Sequence, residues 1–367
     1  MSKKLVFEKI KEGSTDVFVF ETKKDSKGPG SKEGFPFFNP SMELNRDLSV
    51  VFCQWFVDNC IKPPILLDGL AASGIRGVRF ANEIDGDFQV AVNDWDSDCY
   101  NLIKKNIIKF KNAEASNFNL NSLLSDNKFD YIDIDPFGSP VYFIDSALRS
   151  IKNNGVISCT ATDTATLCGV YPKVCFRRYC AIPFHSVVMK EVGLRILIGF
   201  IARVASIYDK GVDPLISYAA DHYFRVYLSV KNSVSSANRS MSNFRVIKAG
   251  EQVGYRKTDK DVGPLWMGNL QNKKLFGDFR TILFGKKFGT RNMLCQLLDI
   301  LEEESDAPTF FYTTDSISSF TKSSSPKRDV LFKFLRNKGY NVYRTHFSST
   351  GFKTNSSINM IEKVFKT

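Results

Sequence analysis

Tyr131 to Pro140 reads YIDIDPFGSP. Apolar residues lead up to two acids, Asp133 and Asp135, and the second is followed at once by Pro136, Phe137 and Gly138. A carboxylate, a proline and an aromatic at the tip of a strand suit a particular chemistry. The lone pair of an exocyclic amine on a nucleobase is delocalised into the ring, and it becomes nucleophilic when acceptors hold its N–H groups in a pyramidal arrangement. Asp135 would supply one acceptor through its carboxylate. Pro136 would supply the other through its backbone carbonyl, on a turn whose fixed φ helps to aim it. Phe137 would stack on the base, and Asp135 could take the proton released after transfer. With an electrophilic methyl donor, what remains is in-line approach at roughly 3 to 3.5 Å, which is positioning. The stretch therefore reads as the catalytic turn of an amino methyltransferase. The bland alternative is an Asp-Pro-x-Gly turn that ends a strand. Its place on the fourth strand, beside a nucleoside site, weighs against that.

Two further stretches define the nucleoside site. LLDGLAASGIRG (Leu66–Gly77) runs a strand into Asp68 and a turn of small residues before a helix, so a ligand can lie against the backbone near a helix N-terminus. The glycines do not follow the G-x-G-x-x-G spacing of dinucleotide enzymes, which argues against a dehydrogenase. VNDWDSD places Asp94 at the end of the next strand, where an acid can accept both hydroxyls of a ribose. NAD and S-adenosylmethionine both carry that ribose, so Asp94 selects a nucleoside and leaves the reaction open. Its bland reading is a loop acid or a helix cap, a role Asp96 or Ser97 could also fill.

These tips need a scaffold. From Ile65 onward strand and helix patterns alternate: ILLDGL, GIRGVRFANEI, DFQVAVNDW, SDCYNLIKKNIIKF, KFDYIDIDPF, FIDSALRSIKN and GVISCTATD. Such alternation implies an α/β fold, a Rossmann-like parallel sheet with helices on both faces and ligands at the carboxyl ends of its strands. LISYAADHYFRVYLSV has the character of closing strands of the same sheet. A helix is expected from an N-cap at Ser41 through Trp55, after a polar loop at 22–36. Beyond about Val262 the pattern suggests a second, smaller α/β domain of the winged-helix kind, with a helix ending at Gly339 and a strand at YNVYRTHF. The expected division is 1–264 for catalysis and 265–367 for the second domain.

Composition sets the partners. At 43% hydrophobic and 24% charged residues the chain reads as a soluble globular protein. Its longest apolar run, ILIGFIA, is too short for a membrane span, and the start lacks a signal-peptide core, so an intracellular protein without a membrane partner is expected. Eight scattered cysteines, with no C-x-x-C pair, and three histidines fit neither a disulfide framework nor a zinc site, and predict reduced core thiols and no metal. The whole of the +11 net charge arises from Lys231 onward, residues 1–230 being neutral in sum. That asymmetry fits a catalytic body joined to a polyanion-binding module.

FFNPSMELNRD (Phe37–Asp47), DGLAASGIRG, DIDPFGSP, ATDTATLCG, EVGLRILIGFIAR, GPLWMGNL and RTHFSSTGFKT occur in the order that the tRNA (guanine-26-N2)-dimethyltransferases have them, and the chain resembles that family over nearly its whole length. The resemblance implies a class I S-adenosylmethionine-dependent enzyme that methylates the N2 amine of a guanine in tRNA. It implies Asp135, Pro136 and Phe137 as the catalytic turn and Phe37 as a wall of the base pocket. Arg46, Asp68, Arg76 and Asp94 fall on the donor side, with Asp163 a further supporting acid. Where the family commonly has Asp-Ala beside the adenine, this chain has Asn119 and Leu120, whose amide oxygen can still accept from the adenine amine. Lys190 stands where a His is frequent, and Cys295 alone stands where some relatives cluster zinc-binding cysteines. A monomer in cytoplasm or nucleus is expected, with Lys273, Lys274, Lys286, Lys287, Lys327, Arg328 and Lys353 as candidate phosphate contacts and a flipped-out target base. The competing readings are an amino methyltransferase for another nucleobase or RNA, and a non-catalytic tRNA-binding protein.

Overall fold

Thr15–Phe20 alternates buried and outward side chains, the period-2 pattern of a half-covered strand. It pairs antiparallel with Phe7–Glu12 across a turn at Gly13, giving β1 (Phe7–Glu12) and β2 (Thr15–Phe20). The computed structural model describes residues 7–20 and 38–366; the loop at 22–36 and Phe37 lie outside the described residues. Helix α1 (Glu43–Asp58) follows one 3₁₀ turn at Pro40–Met42. The cap expected at Ser41 is Asn39 instead, whose side-chain oxygen accepts from the Ser41 N–H at 3.0 Å. Pro40 begins the turn, where its missing N–H costs nothing.

Then come β3 (Ile65–Asp68), α2 (Ile75–Glu83), β4 (Gln89–Asn93), α3 (Ser97–Ile107), β5 (Ala113–Ser116), α4 (Leu120–Asp126), β6 (Phe129–Ile134), α5 (Val141–Ser150) and β7 (Ile151–Ala161). After α6 (Thr164–Leu167), α7 (Pro172–Tyr179) and α8 (Met189–Ser206), the long hairpin β8 (Lys210–Ala220) and β9 (Tyr223–Asn232) completes one seven-stranded sheet in the order β5-β4-β3-β6-β7-β9-β8. The first five strands are parallel, and β9 joins β7 antiparallel. The chain winds outward from β3 to β5 and returns to place β6 beside β3. That reversal opens a crevice at the carboxyl ends of β3, β4 and β6. Strand β6 has its side chains sorted by the pleat. Ile132 and Ile134 enter the core under α5 and α8, while Tyr131 enters the core under α1 and α2, and Asp133 shares the Tyr131 face.

Helix α9 (Val234–Ser242) leads to β10 (Phe244–Ile247), a two-residue hairpin of β11 (Gln252–Val253) and β12 (Arg256–Lys257), and β13 (Val262–Trp266), which pairs with β10. Helices α10 (Phe276–Gly285) and α11 (Arg291–Glu304) bury Phe276, Phe279, Leu294 and Leu298 in the same core as Phe52 of α1. The last elements are β14 (Tyr312–Thr313), α12 (Thr314–Thr321), α13 (Arg328–Asn337), β15 (Val342–Arg344), β16 (Gly351–Thr354) and α14 (Ile358–Phe365), around a separate small core. Counted from α11, the order is helix–strand–helix–helix–strand–strand with sheet order β14-β16-β15, the winged-helix arrangement, and α14 follows it. Gly339 (φ 84) ends α13 as the sequence suggests.

Three of the candidate phosphate contacts have acidic partners within the chain, and one of them is closed to solvent. Lys353 is buried, with its ammonium 3.1 Å from both Glu191 of α8 and Glu304 of α11, so it ties the last sheet to the body and cannot reach solvent. Lys286 likewise folds back, onto the Glu83 carbonyl and Asp85, and Lys273 pairs with Asp306. All eight cysteines are free thiols; five are buried as expected, but Cys60 and Cys295 are only partly buried and Cys180 is exposed. Among the described residues no helix is long and apolar enough to cross a membrane, and no cluster of three or more His, Cys, Asp or Glu could hold a metal.

Candidate active site

The Asp135-Pro136-Phe137 turn begins one residue past β6. Asp135 continues the Tyr131–Asp133 face, and its carboxylate forms an ion pair with Nη2 of Arg76, at the second position of α2. Gly74, in the left-handed region at φ 77, lets the loop after β3 turn sharply into that helix. The rest of the guanidinium is fixed too. Nη1 donates to Asn45 Oδ1 (2.8 Å) and Ser49 Oγ (2.6 Å) on α1, and Nε lies 3.5 Å from Asp133. Asp133 is fully buried, accepting from Tyr131 Oη (2.7 Å) and from Arg225 of β9 (Nη1, 3.1 Å). Burial opposes its ionisation, but Arg225 and Arg76 outweigh burial and hold its carboxyl below the usual range. An ionised Asp133 therefore anchors Arg76, and Arg76 presents its free edge to Asp135.

The turn itself is clamped from the β7 side. Gly138, at φ 92, donates its N–H to Thr162 Oγ1 (2.7 Å) and accepts from the Thr162 N–H (2.9 Å). Ser139 Oγ lies 2.8 Å from Tyr179 Oη, which donates to Asp163 (2.7 Å); Arg178 pairs with the other oxygen of Asp163 at 3.2 Å. Asp163 thus sits behind the turn. Phe137 projects outward, 59% exposed.

Across the crevice, Asp94 is buried at the end of β4. Its Oδ2 accepts from the Ala72 N–H (2.8 Å) and its Oδ1 from the Asp96 N–H (3.0 Å), which ties the loops after β3 and β4 together. Burial pushes its carboxyl up, against those two N–H bonds. The helix cap of α3 is Asp96. Asp68 lies inside, accepting from the Gly77 N–H at 2.8 Å; burial and the neighbouring Asp133 push it up to about 7, against the pull of Arg76. Asn119 caps α4 through Asn121 N–H and is exposed, while Leu120 is buried against Gly69. Arg46 is held away from Arg76: its Nε and Nη2 make two 2.6 Å bonds to Glu12 of β1, and Phe38 covers it at 5.2 Å.

Sequence spacing thus brings Asp135, Arg76, Asp68 and Asp94 to one crevice and leaves Arg46 in a neighbouring ion cluster with Glu12 and Arg79. Asn45, Ser49 and Arg225 are not marked by the sequence motifs, although polar residues four apart on the buried face of a helix are a signal for the first two. Exposed Trp95 and Phe118, at the tips of β4 and β5, were also missed.

A doubly wound sheet closed by an antiparallel hairpin, with an acid at the tip of its second strand and an Asp-Pro-Phe turn at the tip of its fourth, defines a Rossmann-like class I methyltransferase fold. The N2,N2-dimethylguanosine tRNA methyltransferase family model matches residues 19–366, and the chain belongs to that family. It is 37% identical over 347 residues to the tRNA (guanine(26)-N(2))-dimethyltransferase of Pyrococcus abyssi, covering 87% of this chain and 90% of that one. Against the enzyme of the same name from Pyrococcus furiosus it is 36% identical, covering 97% and 98%. Trm1 of Pyrococcus horikoshii, solved in complex with S-adenosyl-L-methionine, superposes with a TM-score of 0.86 at 33% identity, covering 97% of this chain and 99% of that one.

Proposed function

We propose that the chain transfers one or two methyl groups from S-adenosylmethionine to the exocyclic N2 amine of guanine 26 in tRNA. The observation that carries this reading is the Asp135-Pro136-Phe137 turn held against Arg76 at the strand switch point, in a chain of this family.

The crevice suits the donor. A carboxylate offers about four acceptor positions, and Asp94 uses two on backbone N–H groups, leaving two for ribose hydroxyls. The exposed rings of Trp95 and Phe118 flank the place of an adenine, with Asn119 and Leu120 at its edge. Asp68 shapes the turn at Gly77. S-adenosylmethionine, when bound, supplies a methyl carbon on a sulfonium, electrophilic without further activation. Arg76 takes one oxygen of Asp135, so the other is left to accept from the guanine amine together with the Pro136 carbonyl. Phe137 and, on its place in the motif alone, Phe37 hold the base face. As the new N–C bond forms and the methyl's bond to sulfur breaks, the amine proton passes to Asp135, which Arg76 orients. Residues 265–367 add tRNA affinity through exposed cations such as Lys327 and Arg328, and the enzyme works as a monomer inside the cell.

The test is incubation with unmodified tRNA transcript and labelled S-adenosylmethionine, followed by digestion and mass spectrometry. N2-methylated guanosine at position 26 is expected. Methylation of adenine alone, or no transfer, overturns the reading.

A further inference from the structure

Between Asp163 and Glu191 the chain has no acid at all, but it has Lys173, Arg177, Arg178 and Lys190 interleaved with aromatic residues. Helix α7 lies in this stretch and is two-faced. Its inner side buries Cys175 and Tyr179, and Tyr179 reaches Ser139 of the catalytic turn at 2.8 Å and Asp163 at 2.7 Å. Its outer side repeats at helical spacing: Lys173, Phe176 and Arg177 are all exposed, with Tyr171 just before the first turn. Phe176 is 58% and Tyr171 57% exposed, and among the described residues neither Lys173 nor Arg177 has an acidic partner.

Exposed rings cost hydration free energy, and cations without acids beside them repel one another. Both costs are recovered by one ligand chemistry, a polyanion carrying flat bases. Phosphates neutralise the cations, and rings stack on bases whatever their sequence. Position adds the rest. A helix is about 10–12 Å across, so the outer face of α7 lies one helix diameter from the turn that its inner face holds. That is the reach of nucleotides next to a base drawn into the site.

We propose that the outer face of α7 seats the tRNA nucleotides flanking the target guanine: Tyr171 and Phe176 stack on bases, and Lys173 and Arg177 bind the adjoining phosphates. The inference rests on the tRNA-methylating reading and adds a contact surface beside the target base. By holding the flanking strand, α7 offsets the unstacking that base extrusion requires, and Tyr179 links the seat rigidly to the catalytic turn.

The experiment measures tRNA KM, kcat and S-adenosylmethionine affinity for the full chain and its variants. Lys173→Glu/Arg177→Glu is expected to raise the tRNA KM at least tenfold and to lower the salt slope of tRNA binding by about two, with S-adenosylmethionine affinity unchanged. Phe176→Ala is expected to raise KM at least fivefold, and Phe176→Tyr to restore it. Lys62→Glu/Lys111→Glu makes the same charge change at the amino edge of the sheet, where both lysines are exposed, and should leave KM within twofold. If the α7 pair stays within twofold of wild type, or the amino-edge pair weakens tRNA as much, the inference is overturned. A wild-type chain that transfers no methyl to tRNA overturns the proposed function and this seat with it, a result distinct from any comparison of variants.

Discussion

Arg76 makes four polar contacts to two acids and two neutral oxygens, and together they fix the guanidinium that holds the Asp135 carboxylate. With Asp135→Asn, the amide keeps the shape but accepts no proton and repels the guanidinium with its NH2 edge. We expect kcat to fall by about 10²–10⁴ with S-adenosylmethionine affinity within threefold, measured by single-turnover kinetics and calorimetry; an unchanged kcat would sink the assignment. Asp68 gives a prediction of opposite character. Its carboxyl titrates near 7 in the folded chain, raised by burial, against about 3.9 unfolded. A raised acid stabilises the fold fully below the unfolded value and loses that contribution as pH rises through the folded one. Asp68→Asn, which can still accept from Gly77, should therefore gain in Tm relative to wild type as pH goes from 4.5 to 8, by on the order of 5 °C. A Tm difference independent of pH would contradict it. What the sequence showed of this site was the part carried by local order: Asp-Pro-Phe, the small-residue turn, the acid at a strand tip. Asn45 and Ser49 reach Arg76 from 31 and 27 residues away, and Arg225 reaches Asp133 from 92, separations over which a sequence pattern carries no geometry.

At the scale of elements, α2 is seated by a glycine with no spare room. A Cβ at Gly77 would stand 2.6 Å from Cγ2 of Val92, a fully buried β-branched side chain with one favoured rotamer. Gly77→Ala must push α2 off β4, at a cost of about 1–3 kcal/mol, and carry Arg76 with it. Urea denaturation should show the loss of stability and kinetics a fall in kcat; wild-type values in both would mean that the helix is not seated as described. The elements with strong periodicity were legible in the sequence, from α2 and α3 to β6, α5 and the β8–β9 pair. Those stabilised by neighbours were not. Strand β5 is four residues of Ala, Glu and Ser, too polar to announce itself, and it is a strand because β4 offers an open edge. The β1–β2 hairpin carries Glu12, whose carboxylate is buried between Arg46 and Arg79, so the arginine of the Asn-Arg-Asp motif serves an ion cluster that only tertiary contact reveals.

For the molecule as a whole, the winged-helix portion is joined to the sheet through buried charge. Lys353 lies between Glu191 and Glu304, Arg195 pairs with Glu191, and His346 on the loop after β15 bonds Glu304. Burial opposes ionisation of both glutamates, but Lys353 with Arg195 on one side and His346 with Lys353 on the other hold both below the usual carboxylate range. Depressed acids stabilise the fold above their unfolded value, about 4.3, and that contribution is lost as pH falls through the folded values. Lys353→Met keeps the aliphatic stem but removes the cation that lies between the two carboxylates, so they face each other directly. At pH 7.5 the expected cost is about 3–5 kcal/mol. At pH 4.5 it should shrink, because one glutamate of the variant can then protonate and end the repulsion. Salt separates this from a surface effect. Exposed pairs such as Arg239–Asp213 are screened within about 3 Å at 1 M salt, whereas the cluster at Lys353 is closed to solvent, so 1 M NaCl should leave most of the variant's deficit in place. Denaturant titrations at the two pH values, with and without salt, decide the point. A deficit that is the same at both pH values, or that disappears in salt, would mean that apolar packing alone joins the two parts.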